Sequence, residues 1–543
     1  MSGRERGSVT CAFILLYGII SVLIKSRWFL GEALPAVFLG VLLGPVVAKF
    51  IDSSRWGSAA SGQTADITLG VARVVIGVQL VIAGFQLPAK YQQLRWKEMA
   101  LCLLPIMTIM WLYTTLCLLA TVPKVTLLAA LVIGSCVTCT DPILSQAIAK
   151  GPFADKFVAR DLREIISSEA GANDGFGFPF LMLATYLIRH ADIPGAAAAG
   201  GQGEGGAVLQ ERGFQLMARA GDVGRLGGGV GIALQNWVVE TWLYIVVMSA
   251  AIGALVGFAS GYALKFALRR KWVDSESYLL YPTAIGLWLV GVCGMLGTDD
   301  LLACFYLDET EDRHDEVNSC IDVLLNFGGF MYIGAIIPWA EFHQPDTTGL
   351  TYGRLVGLGF LVLLFRRIPA ILMTYKFMPQ VWKNYKEALF MGYFGPIGIG
   401  AVFYAEHARH LFPEPGEGDT EETDLIRAMI PVVYFLVLFS IAVHGLSIPA
   451  LNIIYRVCGV KPIQEDAVEL RRLSTLVLTP INAAVGDGDT FIAYNRFSRP
   501  VFSDADLPVV NRPRAGADDD DDFALMEEKT RVQRRYSRRV VMM

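Results

Sequence analysis

The feature that most constrains this chain is a succession of apolar stretches, each about 20 residues long and almost free of charge. They fall at about 9–25, 32–51, 66–87, 98–121, 124–148, 164–189, 237–264, 279–307, 317–338, 351–375, 387–405 and 425–455. A helix of some 20 apolar residues crosses the ~30 Å hydrocarbon core of a bilayer. Inside lipid only helices and closed barrels satisfy the backbone, and these runs are too long for barrel strands. Twelve such runs predict an all-α polytopic membrane protein. Composition agrees: 54% of the residues are hydrophobic and 18% charged, against about 45–50% and 25% in soluble domains. A soluble globular enzyme is thereby excluded. So is a secreted disulfide scaffold, because nine Cys in 543 residues is sparse and most lie inside the runs. A net charge of -5 argues against a nucleic-acid partner. Arg4 and Arg6 precede Cys11–Ile24 as in a signal peptide, but Lys25-Ser26-Arg27 follows with no small-residue cleavage site. The first run therefore reads as a span.

Lys and Arg mark cytoplasmic loops. Basic clusters at Lys25/Arg27, Lys90/Arg95/Lys97, Lys150/Lys156/Arg160/Arg163 and Arg269/Arg270/Lys271 each follow an odd-numbered run, which places the N-terminus outside. Beyond run ten the parity is reversed: Lys376, Lys383 and Lys386 follow it, and the acidic loop Glu414–Asp424 follows run eleven. One more crossing belongs between 272 and 376, best placed where Gly297-Thr298-Asp299-Asp300 interrupts the segment 279–316. Thirteen crossings are favoured over twelve, with the C-terminus inside. The membrane domain covers 1–460, with a Gly/Ala-rich extramembrane insertion at 191–235. Residues 461–543, with Asp518–Asp522 followed by an arginine-rich end, read as a polar, largely disordered cytoplasmic tail.

Charge inside hydrocarbon is costly, so buried ionisable groups mark candidate chemistry. Four places stand out. In run five, Thr138-Cys139-Thr140-Asp141-Pro142 puts a proline beside a carboxylate. Proline removes a backbone donor and frees carbonyls about four residues back. Those carbonyls, the Thr hydroxyls and Asp141 are hard oxygen ligands suited to an alkali cation; a kinked helix ending in Asp is the alternative. In run six, Ser167-Ser168-Glu169-Ala170-Gly171-Ala172-Asn173-Asp174-Gly175 carries three polar groups on one helix. Glu169 and Asn173 share a face, and Asp174 lies about 100° further round. Asp174 is the expected carrier of a proton and a cation, since desolvation disfavours a charged carboxylate and lets it exchange a proton near neutral pH. Asn173 would hold it by hydrogen bonds, and the small neighbours allow close backbone approach. In run ten, Arg366-Arg367-Ile368-Pro369 needs partners, and Glu169 offers a bidentate acceptor; one or both arginines could instead snorkel to an interface. In run eleven, the interruption Gly392-Tyr393-Phe394-Gly395-Pro396-Ile397-Gly398-Ile399-Gly400 mirrors the one in run five. Paired broken segments in two halves of a chain point to a transporter's substrate site built from inverted repeats. Asp299-Asp300 is either an ion-access point or a solvated turn.

Other chemistries leave no trace. There is no Gly-Lys dipeptide and hence no P-loop. None of the six His forms a zinc-protease motif. Cys136 and Cys139 read as small packing residues, and Gly486-Asp487-Gly488-Asp489 lies in the tail, away from any span. No catalytic residues, no cofactor and no nucleic acid are expected.

The ordered segments GEALPAVFLGVLLGP (31–45), TDPILSQAIAKGPFADK (140–156), SSEAGANDGFGFPF (167–180), GTDDLLACF (297–305) and GYFGPIGIGA (392–401) resemble the monovalent cation/proton antiporters, and in detail the fungal plasma-membrane Na⁺/H⁺ antiporters, over about residues 10–460. The resemblance implies a six-helix core that moves against a dimerisation domain, with runs five and eleven crossing as discontinuous helices. It implies Asp174 as the essential carboxylate, with Asn173, Thr140 and Asp141 around it, and a pair between Glu169 and an arginine of run ten, Arg367 before Arg366. It implies that Asp299-Asp300 serves transport. The wider family often has Ser where this chain has Ala170, which removes one possible ligand oxygen. The implied activity is export of Na⁺, with Li⁺ and possibly K⁺, in exchange for H⁺ at the plasma membrane by a homodimer, with roles in salt tolerance and pH homeostasis. A passive cation channel is the rival.

Overall fold

The computed structural model describes residues 19, 30–49, 51, 63–86, 91–142, 144–145, 152–191, 225–305, 315–460, 468–471, 483–485 and 490–493. The first apolar run apart from Ile19, most of the Gly-rich insertion, the Gly486–Asp489 motif and most of the tail lie outside the described residues. The chain divides into two compact units, Met1–Gln464 and Glu465–Met543.

The first unit is helical. Its main elements are α1 (Ala33–Leu43), α2 (Gln63–Gln86), α3 (Trp96–Thr121), α4 (Leu127–Cys136), α5 (Arg160–Gly175) and α6 (Phe178–Arg189). There follow α7 (Gly229–Arg269), α8 (Ser275–Leu296), α9 (Asp300–Phe305), α10 (Asp315–Ile336) and α11 (Tyr352–Phe365). Last come α12 (Ile368–Thr374), α13 (Tyr385–Tyr393), α14 (Ile399–Arg409) and α15 (Thr420–Val457). Among the described residues, six helical stretches are long and apolar enough to cross a membrane, and three shorter apolar helices accompany them.

Local chemistry sets the boundaries. Thr126, Asp274 and Thr351 each accept a backbone N–H at the start of α4, α8 and α11. Asp419 and Glu422 form a reciprocal capping box at the start of α15. Gly297 ends α8 in the left-handed conformation at φ 71°, which a residue with a Cβ adopts only under strain. This is the interruption expected inside run eight, and the chain resumes as α9 three residues later. Without a hydrophobic drive between helices in lipid, close packing rests on small residues. At the α1–α10 crossing, a Cβ added to Gly40 would lie 2.9 Å from the Cα of Gly334.

Two differences from the sequence reading concern boundaries. Run six is not one helix: Phe176 and Gly177 interrupt it, and Asp174 sits in the last turn of α5. The Gly-rich insertion is shorter than 191–235, because Gly229–Asn236 is already the first two turns of α7. Gly229 and Gly231 carry the glycine-rich composition of the insertion into those turns, so composition could not separate them. In the second unit, three short strands, β1 (Val468–Arg471), β2 (Ala483–Val485) and β3 (Thr490–Ala493), pair antiparallel in the order β1-β3-β2.

Candidate ion-binding site

The two discontinuous helices expected from runs five and eleven are present, and they cross. α4 stops at Cys136, and the chain runs extended through Thr140 and Asp141 before turning helical again at Pro142. α13 stops at Tyr393, and α14 starts at Ile399 after an extended stretch containing Gly395 and Pro396. The extended segments are joined directly: the Asp141 N–H donates to the Pro396 carbonyl at 2.9 Å.

Breaking two helices inside a protein exposes helix ends, positive at N-termini and negative at C-termini. Each exposed end has a compensating side chain. Asp141, 1% exposed, accepts the Leu144 N–H on Oδ1 at 2.9 Å and the Ile399 N–H on Oδ2 at 2.8 Å. One carboxylate thus serves two helix starts on different segments. A Cβ on Gly398 would collide with that carboxylate, so the approach requires glycine. Arg366 donates to the carbonyls of Val137, Thr138 and Cys139 at the end of α4 and to the Gly395 carbonyl of the opposite segment. The Tyr393 carbonyl, at the end of α13, faces His444 Nε2 at 3.1 Å, and the Ile397 N–H donates to Ser440 Oγ at 2.7 Å. α15 therefore anchors the second break from behind.

These contacts correct one expectation. The carbonyls freed by Pro142 were expected to face a cation; they face the Arg366 guanidinium instead. A guanidinium carries five donors in a planar fork, and a row of unpaired carbonyls is a natural acceptor for it. The adjacent Arg367 points elsewhere. Its Nη1 and Nη2 donate to Glu169 Oε1 and Oε2 at 2.8 and 2.5 Å, and its Nε donates to the Met391 carbonyl at 3.0 Å. Of the two arginines it is Arg367 that reaches Glu169, in a bidentate pair exposed by only 3% and 1%.

Asn173 and Thr140 close on each other. The Thr140 N–H donates to Asn173 Oδ1 at 3.1 Å, and Asn173 Nδ2 donates to Thr140 Oγ1 at 2.6 Å. The Cys139 thiol donates to the Asn173 carbonyl. Asn173 thus ties α5 to the crossing rather than bonding the Asp174 side chain. Asp174 is completely buried, and neither carboxylate oxygen has a hydrogen-bond partner. Among the described residues it is the one acid of which this is true for both oxygens. It lies against the first turn of α14, where a Cβ on Gly400 would sit 2.6 Å from Asp174 Oδ1. Its backbone carbonyl accepts the Tyr404 hydroxyl at 2.5 Å, and Tyr404 in turn accepts the Gly177 N–H at 3.1 Å. Among the described residues no cluster of three or more His, Cys, Asp or Glu side chains offers a chelating metal site.

The family model described as "Sodium/hydrogen exchanger, transmembrane" matches residues 11–453. The chain belongs to the sodium/hydrogen exchanger family. A Schizosaccharomyces pombe protein described as a probable Na⁺/H⁺ antiporter is 36% identical over 80% of this chain and 54% of its own length. The Na⁺/H⁺ antiporter 2 of Zygosaccharomyces rouxii is 31% identical over 80% of this chain and 51% of its own. The chain thus spans about half the length of these relatives. A second S. pombe protein, named Na⁺/H⁺ antiporter, is 30% identical and is matched over 89% of its length. The solved sodium proton antiporter MjNhaP1 of Methanocaldococcus jannaschii has the same fold, with a TM-score of 0.53 at 14% identity, over 82% of this chain and 98% of that one.

Asp299 and Asp300 are not a solvated turn. They are 1% and 2% exposed. Asp299 Oδ1 accepts the N–H groups of Leu301 and Leu302, and its own N–H donates to Ser249 Oγ on α7. α9 packs on the Asp174 helix: a Cβ on Gly175 would fall 2.6 Å from Leu302 Cα, and one on Gly171 2.9 Å from Phe305 Cδ2. Sequence reasoning missed Arg73, Ser249, Tyr404, Ser440 and His444. Arg73 had a signal, as a charged residue inside the third apolar run. Tyr404 had none, since an aromatic residue in an apolar run reads as packing.

Proposed function

We propose that this chain is a secondary active antiporter that moves Na⁺ outward in exchange for H⁺, with Asp174 binding the two in competition. The observation that carries this reading is the Asp174 carboxylate, fully buried with both oxygens unpartnered beside two crossed helix breaks. A carboxylate already bonded on both oxygens must share its lone pairs with those donors, or lose the bonds, to take a cation. Asp174 has none to lose. A buried, unpaired negative charge is expensive, so the empty state is disfavoured, and either a proton or a cation relieves it. Loading with either ion then permits the core to move, while the empty charged site does not cross readily. Thr140 and Asn173 border the site, and Asp141 with the Glu169–Arg367 pair holds its frame. The names of the relatives support Na⁺ as cargo, with Li⁺ and K⁺ as further candidates. The wider reading includes a homodimer in the plasma membrane with the N-terminus outside, bounded by lipid.

A passive channel is the alternative. Vesicles with an imposed pH gradient separate the two: an antiporter accumulates Na⁺ against its own gradient, and a channel does not. Asp174→Asn is expected to abolish this uphill movement. Retained proton-driven Na⁺ uptake in that variant refutes the assignment.

A further inference from the structure

Arg73 lies in α2, is 31% exposed, and reaches a carboxylate pair that is otherwise closed from water. Its Nε is 3.1 Å from Asp300 Oδ2. The two atoms are not aligned as a hydrogen bond, and neither has another hydrogen-bond partner. The second oxygen of Asp299, Oδ2, is also buried and unpartnered. The guanidinium lies over the Phe403 ring of α14, 5.7 Å from its centroid. A cation over an aromatic face with a carboxylate in reach is an environment that suits a guanidinium. The pair is also close to the proposed carrier. α9 contacts Gly175, the residue after Asp174.

Three properties distinguish this contact from the other buried ion pair. Glu169–Arg367 is bidentate, aligned and dry. Arg73–Asp300 approaches through Nε, unaligned, with a partly wet cation. An arginine at such a boundary can withdraw its head into water while its stem stays packed. A carboxylate pair with open oxygens would then be left facing the same small monovalent cations that Asp174 faces.

We infer that Arg73 is a tethered cation that occupies the Asp299–Asp300 pair and is displaced from it by a monovalent metal cation travelling to or from Asp174. The inference rests on the antiporter reading. Its consequence is competition: the side chain and the ion share one site, so removing the side chain strengthens ion binding there and slows release.

The test uses the full chain in vesicles, following Na⁺/H⁺ exchange under an imposed pH gradient. Arg73→Ala is expected to lower the apparent KM for Na⁺ roughly five- to tenfold, within the usual range for coupled ligands, and to lower the maximal rate. Guanidinium chloride at roughly millimolar concentration, far below denaturing levels, should refill the vacated site and raise the KM again. Adding Asp300→Asn should remove both effects. Arg73→Lys keeps the charge without the guanidinium and should give a KM between those of wild type and Arg73→Ala. A KM that rises or stays unchanged in Arg73→Ala overturns the inference. So does guanidinium sensitivity that persists without Asp300. If Arg73→Ala does not fold, Arg73→Gln against Arg73→Lys makes the same comparison, and equal KM values refute it. Exchange that survives Asp174→Asn defeats the antiporter site itself, independently of what Arg73 does.

Discussion

The Glu169–Arg367 pair permits a quantitative test of the frame around the site. Both side chains are almost fully buried, at 1% and 3% exposure, and two aligned hydrogen bonds join them. Removing one partner of such a pair strands a charge and costs about 3–5 kcal/mol. Arg367→Met also takes the donor from the Met391 carbonyl, worth a further ~1 kcal/mol. The single variant should therefore lose about 4–6 kcal/mol. Glu169→Gln keeps the shape but leaves the guanidinium uncompensated, and should lose about 3 kcal/mol. The double variant has no stranded charge, so its loss should fall to about 1–3 kcal/mol. The assay is the thermal midpoint of detergent-solubilised protein, read by the fraction that stays monodisperse after heating. Each single variant should drop by roughly 5–10 °C, scaling the usual shift down for a chain of this size. The double variant should recover most of that drop. If the two losses simply add, within about 0.5 kcal/mol, the pair contributes nothing as a pair and the argument fails.

Two further outcomes follow from the geometry. Gly400→Ala places a Cβ 2.6 Å from Asp174 Oδ1 while adding a better helix former. Exchange should fall roughly a hundredfold with the thermal midpoint barely moved; a midpoint that collapses with the activity would mean a folding defect instead. Away from the apolar runs, Arg225 joins Asp419 and Glu421 at the start of α15. Partial burial acts to raise the pKa of Asp419, but the Glu422 amide and Arg225 outweigh it and hold the carboxyl below its ordinary value. A depressed value means stability present above the unfolded pKa, about 4, and lost as pH falls below it. Asp419→Asn should flatten that acid limb of the midpoint–pH curve. The effect should be modest and weaken with salt, because Asp419 is 41% exposed.

The fold was legible because hydrophobic run length and punctuation report it directly. Pro142 beside Asp141, and Gly395-Pro396 in run eleven, announce helix breaks without any partner being known. The burial of Asp174 was legible for the same reason, since an acid among Ala and Gly in an apolar run lies where charge is costly. Contacts between distant segments were not legible. Nothing near Arg366 shows that its donors meet carbonyls more than 200 positions away. Pro142 shows that carbonyls are freed, but whether a cation or a guanidinium takes them depends on where α11 ends. Asp299-Asp300 stayed ambiguous because a Gly-Thr-Asp-Asp turn looks alike in water and against α5. Arg73 obeyed the rule used for the acids, yet its meaning depends on Phe403 and Asp300, which only the fold brings together.

The two acids nearest the crossing make a contrast that decides what each is for. Asp141 spends both oxygens on backbone N–H groups, one from each broken helix. Hydrogen bonds to a charged acceptor contribute about 1.5–3 kcal/mol each, and losing the acceptor leaves two buried donors unpaired. Asp174 has no such bonds on either oxygen. Replacement by Asn removes charge at both positions and preserves size. At Asp174 it should relieve a buried charge, so the protein should be as stable as wild type or more so while exchange is lost. At Asp141 the amide has one carbonyl oxygen left to serve two donors, so the crossing should loosen and the thermal midpoint should fall together with exchange. The discriminating measurement is stability and uphill Na⁺ flux on the same preparations of both variants. Were Asp141→Asn stable but inactive, Asp141 would be a carrier group in its own right, and a second charge would move in each cycle as measurable current.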